Sequence, residues 1–396
     1  MVRGKDQGKE AGMKKGSITQ GEAIALMVGA GVGAGIMAVP YLAERVGLVG
    51  LAFILPIAWA ASSLIHLMLA EVSFRTGEDM QIIELMRLYV LRGRMGTWLL
   101  WIVFSFLSIA FLANLAAYVS GSGEIVSNLT GMNQHAAEFV IYGISAGVVF
   151  FGLKAVGMAE RYGTGLLYGC VIAICIGALR LPFHTKLGPT GSPTEWMALY
   201  GMVMYALWTF YSVPQVVKGL GEDHKGAVRA ILIGLGINGL LTAIVALVAM
   251  GISKEVTQVA IIGITDQLGS WAGRIGSIFI IAAFVTSYWS VSLALADIIH
   301  ERAQIPPRIA WLLATLPSLL ILWLGGWRFL EWLRLAAGAT AIVVALITIP
   351  MYREALRSGP VRDPGWRLGR WGSPTMIALV LLSLILMVAG SIVSIE

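Results

Sequence analysis

The sequence contains few charged residues. Asp, Glu, Lys and Arg make up 13% of its 396 residues, whereas a soluble domain has about 25%. Hydrophobic residues account for 58%. Apolar runs recur along the whole length, each with roughly the 20 residues that a helix needs to cross the ~30 Å hydrocarbon core of a lipid bilayer. These features exclude a water-soluble globule and predict an all-α, multi-pass membrane protein.

Cysteine and histidine are also scarce, and their positions exclude several kinds of chemistry. The two cysteines, Cys170 and Cys175, lie in one apolar segment on different faces of a helix, so we expect neither a disulfide nor a metal pair. The five histidines are scattered and lack the spacing of metal ligands or of a catalytic cluster. The sequence therefore predicts no enzyme activity and no cofactor. It has no basic block interleaved with aromatic residues, so no nucleic-acid partner is expected.

Eleven apolar segments predict eleven transmembrane helices. They cover residues 19–43, 48–73, 97–120, 136–153, 161–181, 196–217, 228–252, 272–299, 308–325, 329–351 and 372–394. The stretch near 77–94 mixes apolar and charged residues, which predicts an amphipathic helix at the membrane surface. A similar short piece, Val256 to Leu268, is expected on the opposite side.

Lysine and arginine are distributed unevenly over the predicted loops. With a cytoplasmic N-terminus, the loops on that side hold 21 of the 28 basic residues and the other side holds 7. This bias predicts a cell (inner) membrane protein with its N-terminus inside and Glu396 outside. The predicted organisation is a cytoplasmic tail (1–16), a first five-helix repeat (17–181), a second repeat of opposite orientation (190–353), and a cytoplasmic loop with the eleventh span (354–396).

The first apolar segment is interrupted by glycine. Between Gly29 and Gly35, four glycines occupy alternate positions. Each glycine inside a helix costs about 0.5–1 kcal/mol relative to alanine, and unpaired backbone groups in lipid cost several more. Such a break is tolerated where it is buried in protein or lines a polar cavity. The run therefore predicts a binding site inside the first span.

A second interruption falls in the sixth span. Aromatic and hydroxyl residues precede Val213 and Pro214 there, and a proline inside a helix removes a backbone donor and kinks the helix. Spans one and six occupy corresponding positions in the two repeats. Two interrupted helices in corresponding positions are the best sequence indication of a binding site at the membrane midplane. A proline kink packed against neighbouring helices is the alternative.

Three motifs resemble those of the amino acid/auxin permeases. The first is the glycine run, with Gly29, Gly31 and Gly33-Ala34-Gly35-Ile36-Met37-Ala38-Val39-Pro40. The second is Val285 to Asp297 in span eight, and the third is Val213-Pro214 with the basic residues that follow it. The similarity is nearest to the bacterial hydroxy and aromatic amino acid permeases, and its plan of spans covers about residues 17–353.

The resemblance implies a fold and an activity. These permeases belong to the amino acid–polyamine–cation superfamily. The chain is therefore expected to have a LeuT-like 5+5 inverted repeat with helices 1 and 6 broken, followed by one C-terminal helix. The implied activity is secondary active import of amino acids by alternating access, driven by a cation gradient. A channel is less favoured, because the sequence has no repeated filter loop.

The resemblance also implies a sodium site. In span eight, Ala283, Thr286 and Ser287 are spaced so that one carbonyl and two hydroxyls point at the break in span one. In sodium-coupled members of the superfamily, the matching oxygens bind sodium together with two carbonyls of span one, which here belong to Gly29 and Val32. Gly29 stands where sodium-coupled neutral amino acid transporters have an asparagine, so one side-chain ligand is missing. Hydroxyls that bond back to their own helix or join neighbouring helices are the alternative.

Coupling to protons is the alternative to coupling to sodium. Proton-coupled relatives often place a lysine of span five at this position, whereas this span five has none between residues 162 and 179, which favours sodium. The other candidates for carrying a proton are Glu22, His66, Glu71 and Asp297. All lie toward predicted helix ends, where a solvated side chain is more common.

The substrate is expected to be an amino acid held by both breaks. Amides freed at the first break, and the positive end of the half-helix beyond it, can bind a carboxylate. Carbonyls at the second break can accept from an ammonium group, and aromatic side chains can enclose the rest. The predicted substrate-binding residues are Gly31, Val32, Gly33, Ala34, Gly35, Tyr205, Ala206, Trp208, Thr209 and Phe210. Tyr211 is a further candidate for the wall of the side-chain pocket, beside Trp208 and Phe210, and the lesser candidates are Asn114, Tyr118 and Tyr288.

Overall fold

The computed structural model describes residues 17–184, 188–256, 260–325 and 329–392. Every regular element in this part of the chain is a helix. The predicted cytoplasmic tail (1–16) and the predicted outside position of Glu396 lie outside the described residues.

The α-helices of the described residues are numbered in chain order. They are α1 (Gln20–Gly31), α2 (Ala34–Val46), α3 (Leu48–Thr76), α4 (Ile82–Tyr89), α5 (Gly93–Thr130), α6 (Gln134–Phe150), α7 (Leu153–Ala178), α8 (Pro193–Ala206), α9 (Val213–Leu220), α10 (His224–Ile252), α11 (Ala260–Leu268), α12 (Ser270–Ala303), α13 (Pro307–Gly325), α14 (Phe329–Ser358) and α15 (Pro374–Ile392). Short 3₁₀ helices cover Phe210–Ser212 and Gly369–Gly372.

Each predicted apolar segment corresponds to one helix or to two helices that flank a break. Within the described residues, seven helices are individually long and apolar enough to cross a membrane, and the bent pair of α1 and α2 makes eight. The count of eleven spans stays a prediction. The two predicted surface pieces also form helices, α4 and α11, although 257–259 of the second piece lie outside the described residues.

The helix ends differ from the hydropathy boundaries, because hydrogen bonding and capping set them. A capping box starts α1: the Thr19 amide donates to Glu22 (2.7 Å), and the Glu22 amide donates to the Thr19 hydroxyl (3.3 Å). Most importantly, α7 begins at Leu153, well before the predicted start of span five at residue 161. Glu160, which the prediction assigned to a cytoplasmic loop, is therefore inside a helix.

The centre of the bundle is α12. Of the residues in its most apolar stretch, 78% are buried within the protein. The helix packs against α1, α5, α7 and α13. The helices α1 and α10 also pack closely together. Both broken spans thus lie inside the bundle, surrounded by other helices.

Candidate functional site

The first break separates α1 from α2 and bends the chain by 55°. At the break, the Val32 amide donates to the Val28 carbonyl (2.8 Å) and the Gly33 amide donates to the Gly31 carbonyl (2.9 Å). The prediction that the amides of Val32 and Gly33 are free is therefore wrong, because the Val32 amide makes the last helical hydrogen bond of α1 and the Gly33 amide closes a tight turn. The unused donors belong instead to the first turn of α2. This helix starts after Gly33, and no side chain of the described residues caps its amides at that position.

The second break separates α8 from α9 and is held by α3. The Thr209 amide donates to His66 Nε2 (3.2 Å), and the Ser62 hydroxyl donates to the Leu207 carbonyl (3.0 Å). His66 Nδ1 lies 2.7 Å from the Ser62 carbonyl, which accepts. Since Nε2 accepts and Nδ1 donates, this hydrogen bonding selects the neutral Nδ1–H tautomer of His66.

This arrangement corrects the interpretation of His66. The sequence placed it toward a helix end, where a solvated side chain is more common. In the structure its side chain is fully buried in the interior of α3 and accepts a hydrogen bond from the backbone amide of Thr209, a buried residue of the broken span. His66 therefore supplies a hydrogen-bond partner that the interrupted helix lacks.

The two breaks touch each other. A Cβ on Gly35 would lie 2.7 Å from the Cα of Ala206, so the first turn of α2 packs directly on the last turn of α8. The N-terminal end of α2 carries partial positive charge and the C-terminal end of α8 carries partial negative charge. The structure thus brings two opposite helix ends together inside the bundle.

A small cavity of about 20 Å³ lies at this junction. The residues that line it are Ala30, Gly31, Gly33, Gly35, Phe111, Asn114, Tyr118, Tyr205, Trp208, Tyr211 and Thr340. A second, wholly apolar cavity shares four of these side chains with it: Phe111, Trp208, Tyr211 and Thr340.

The cavity gathers part of the predicted substrate site. Five predicted residues line it: Gly31, Gly33, Gly35, Tyr205 and Trp208. The wall candidate Tyr211 lines it as well, as do the lesser candidates Asn114 and Tyr118, whereas Tyr288 does not. Of the other predicted residues, Phe210 lines the second cavity and Thr209 is bonded to His66. Ala206 packs on Gly35. Val32 is not a lining residue, and the side chain of Ala34 lies outside the part that the structure describes.

Three lining residues were missed by the sequence interpretation: Ala30 within the glycine run, and Phe111 and Thr340 on other helices. Phe111 of α5 packs edge-on against Tyr211 (centroids 5.6 Å apart), and Thr340 lies on α14. Neither residue stands out locally, since each belongs to an ordinary apolar helix. Only the packing of α5 and α14 against the breaks brings them to the cavity.

The predicted cation site is compact. The Ser287 hydroxyl lies 3.1 Å from the Gly29 carbonyl and 3.5 Å from the Val32 carbonyl. The Thr286 hydroxyl lies 3.1 Å from the Ala283 carbonyl and 3.5 Å from the Gly29 carbonyl. All five predicted residues therefore place an oxygen in one cluster beside the first break.

The cation cluster is connected to the cavity by Tyr118. Its hydroxyl interacts with both Ser287 and Asn114, and it lies 3.4 Å from the position of a Cβ on Gly33. The Tyr211 hydroxyl also donates to the carbonyl of Ala30 (3.2 Å), in the last turn of α1. A change in the cluster can therefore reach the cavity through direct contacts.

The predicted acidic proton candidates pair with basic side chains. Lys154 donates to Glu22 (2.8 Å), and Arg75 donates to Glu71 (2.7 Å). Lys218 lies 3.9 Å from Asp297, which also accepts from Gln81 (3.2 Å). These contacts hold helix ends together, and they give Glu22, Glu71 and Asp297 structural partners.

The carboxyl group that the sequence interpretation missed is Glu160. It is fully buried on α7 and accepts a hydrogen bond from Ser290 of α12 (2.7 Å). A Cβ on Gly29 would overlap its carboxyl group. Predicted span five begins at residue 161, just after Glu160, whereas α7 begins at Leu153. The helix therefore also contains Lys154, contrary to the predicted absence of lysine from this span, but Lys154 pairs with Glu22.

Two interrupted helices that meet at a buried cavity, within a bundle of apolar helices, define a multi-pass membrane transporter. The chain belongs to the tryptophan/tyrosine permease family, whose family model matches residues 16–391. Membership of a permease family, together with a transporter fold, identifies a secondary transporter and not an enzyme. A comparison with curated protein sequences gives no match.

Among solved structures, the chain is similar to Mhp1, a nucleobase-cation-symport-1 family transporter, in a closed conformation with bromovinylhydantoin bound. The TM-score is 0.65 at 13% sequence identity, and the alignment covers 96% of this chain and 90% of that chain. At this identity the similarity shows the fold alone, which is the LeuT fold. The predicted fold class and broader type of transporter are confirmed, whereas membership of the amino acid/auxin permeases is not.

Proposed function

We propose that this protein imports an aromatic amino acid, tryptophan or tyrosine, across the cell membrane and couples the import to a cation gradient. The family description names these two amino acids. The observation that carries the proposal is the direct contact of the two opposite helix ends at the cavity, where Gly35 packs on Ala206. A free amino acid presents a carboxylate and an ammonium group close together, which matches this pair of ends.

The walls of the cavity support an aromatic side chain as the rest of the substrate. Four of the lining residues are aromatic in addition to Tyr118: Phe111, Tyr205, Trp208 and Tyr211. Aromatic rings stack on one another in offset or edge-on geometry. Two buried polar atoms, Trp208 Nε1 and Asn114 Oδ1, have no hydrogen-bond partner among the described residues. Asn114 Oδ1 is available to accept from an indole N–H or a phenolic hydroxyl of the substrate, and Trp208 Nε1 is available to donate to a phenolic oxygen.

Sodium is the coupling ion that the five-oxygen cluster supports. Unwound carbonyls of a broken helix, together with hydroxyls of a neighbouring helix, bind sodium in transporters with broken helices. Here the carbonyls are those of Gly29 and Val32, and the hydroxyls are those of Thr286 and Ser287. A proton is the second candidate, and the specific observation that favours it is the buried carboxyl group of Glu160 next to Gly29.

Ligand-induced stabilisation in detergent tests the proposed substrate. Tryptophan or tyrosine at a hundredfold excess over Kd should stabilise the protein by about 2.7 kcal/mol and raise its unfolding temperature. The shift should be larger in sodium than in potassium. Alanine, which has the same ammonium and carboxylate but no ring, is the matched control and should give a much smaller shift. Equal shifts with all three amino acids, or none with any, would contradict an aromatic substrate.

Labelling of introduced cysteines tests the proposed orientation. Asn128 is exposed near the end of α5, and Glu222 is exposed between α9 and α10. In a chain without its native cysteines, Asn128→Cys should react with an impermeant thiol reagent added outside intact cells. Glu222→Cys should react only after the membrane is opened. The opposite pattern would place the N-terminus outside and would overturn the predicted arrangement of the two repeats.

A further inference from the structure

Glu160 lies inside the bundle without a charged partner. Its Oε1 accepts the hydrogen bond from Ser290, whereas its Oε2 has no hydrogen-bond partner among the described residues. No lysine, arginine or histidine in the described part of the chain forms an ion pair with it, in contrast to Glu22. A buried carboxylate with neither a cation nor a full set of hydrogen bonds is strongly destabilising. The charge of Glu160 therefore needs a cation that the side chains around it do not supply.

Gly29 provides the space that this carboxyl group occupies. A Cβ at residue 29 would overlap Oε2, so the free oxygen lies directly against the backbone of α1. The carbonyl of the same glycine is the one that both Thr286 and Ser287 approach. The unpartnered oxygen therefore lies at the edge of the five-oxygen cluster.

The helices that pack on α7 bring no other free charge to this position. These helices are α1, α6, α10 and α12. Their titratable and charged side chains are Glu22 on α1, His135, Glu138 and Tyr142 on α6, His224, Lys225 and Arg229 on α10, and Arg274, Tyr288, Asp297, His300, Glu301 and Arg302 on α12. Apart from the two tyrosines, all lie in the first two or last two turns of their helices. From the 3₁₀ helix, the Tyr211 phenol also interacts electrostatically with Glu160.

We propose that Glu160 is the negative charge that the coupling cation neutralises. The cation is a sodium ion held between the Glu160 carboxylate, whose Oε2 has no partner among the described residues, and the five-oxygen cluster beside Gly29. Neutralisation removes the penalty of burying the carboxylate between α1, α7 and α12, so it favours the packed arrangement. The same packing fixes the backbone at the first break, because Gly29 and Val32 belong to the segment that ends at Gly33, and Gly33 lines the cavity. The inference rests on the proposed coupling to a cation and identifies the group that performs it.

Glu160→Gln tests this inference, because glutamine keeps the size of the side chain and an acceptor for Ser290 but carries no charge. The unfolding temperature of the purified protein is measured without substrate in two series. The first replaces choline with sodium at constant pH, and the second varies pH in choline. A response to pH without a response to sodium would overturn the inference. The wild type is expected to be stabilised by sodium in the first series. In Glu160→Gln, the midpoint of that response should shift by more than about tenfold, or the response should disappear.

Two further variants keep the test decisive. Glu138→Gln removes another buried carboxylate, one that contacts His135 and Trp323 instead of the cluster, and should keep the wild-type cation response. Gly29→Ala should weaken the response as Glu160→Gln does, because the added methyl group displaces the Glu160 carboxyl group. If Glu160→Gln does not fold, Gly29→Ala takes its place in the test.

The outcomes separate this inference from the proposed function. A wild-type cation response that persists unchanged in Glu160→Gln would overturn the role of Glu160 and leave cation coupling in place. A wild type whose unfolding temperature does not respond to sodium would overturn the proposed coupling to sodium and this inference with it. Because no substrate is added, a wrong assignment of the amino acid leaves the result unaffected.

Discussion

Replacing Gly33 with leucine is expected to abolish amino acid binding in a protein that still folds. A Cβ at residue 33 meets only the ends of side chains, with Ser287 Oγ at 3.0 Å and Tyr118 Oη at 3.4 Å. The larger leucine side chain fills the space in front of the first turn of α2, where the carboxylate is proposed to bind. Affinity for tryptophan, measured by calorimetry, should fall at least about a hundredfold, a loss of about 2.7 kcal/mol.

Two other glycines provide the comparison. Gly35→Leu should lose binding and also unfold at a lower temperature, because its Cβ meets backbone atoms of Ala206 and forces α2 and α8 apart. Gly143 is exposed on α6 with open space around it, so Gly143→Leu should bind as the wild type does. Wild-type affinity in both Gly33→Leu and Gly35→Leu would show that these glycines serve helix packing alone.

Removal of the Ser287 hydroxyl is expected to have the second large effect. Ser287→Ala loses an oxygen that lies near both the Gly29 and Val32 carbonyls, at a site that already lacks an asparagine ligand. Sodium affinity should fall at least about tenfold, or about 1.4 kcal/mol. Substrate affinity at a fixed sodium concentration should fall with it, because the two sites are thermodynamically linked. Thr286→Ala should act in the same direction.

The controls for this prediction come from the same helix and from the paired acids. Ser292 on α12 is buried, but its hydroxyl donates to the Tyr288 carbonyl (2.6 Å), so Ser292→Ala should leave sodium affinity unchanged. Amide substitutions of Glu22, Glu71 or Asp297 should also leave the sodium dependence intact. If replacing sodium with choline has no effect on wild-type uptake, and dissipating the pH gradient stops it, protons drive transport instead of sodium.

The breaks in spans one and six could be predicted from the sequence because glycine and proline disrupt helices by local chemistry. The same holds for the cation cluster, where the spacing of Ala283, Thr286 and Ser287 along one helix face brings their oxygens together. These features depend on neighbours in the chain. The family resemblance supplied the partner residues Gly29 and Val32, and the structure places them at the cluster.

The roles of Glu160 and His66 could not be predicted in the same way. Hydropathy locates the apolar centre of a span, whereas the helix continues through polar residues for as long as its hydrogen bonds and caps allow. The true start of α7 at Leu153 places Glu160 inside the bundle. Likewise, the contact between His66 and Thr209 joins residues 143 positions apart in the chain, and no local pattern reveals it.

The hydrogen bonds at the first break were another limit of the sequence interpretation. The glycine run indicates that the helix is interrupted but not how the turn closes. In the structure, the amides of Val32 and Gly33 donate to the carbonyls of Val28 and Gly31. The donors available to an anion are therefore those at the beginning of α2. Such a shift of one or two residues depends on backbone dihedral angles, which glycine leaves open.

Uptake of radiolabelled tryptophan into proteoliposomes tests the central claim most directly. With an inward sodium gradient and a membrane potential negative inside, tryptophan should accumulate above its external concentration and leave again when the gradient is collapsed. One charge moving through 100 mV supplies about 2.3 kcal/mol, enough for roughly fiftyfold accumulation. Imposing an inward proton gradient in choline tests the alternative ion in the same vesicles. Simple equilibration of tryptophan under every gradient, or no uptake at all, would contradict a cation-driven importer of aromatic amino acids.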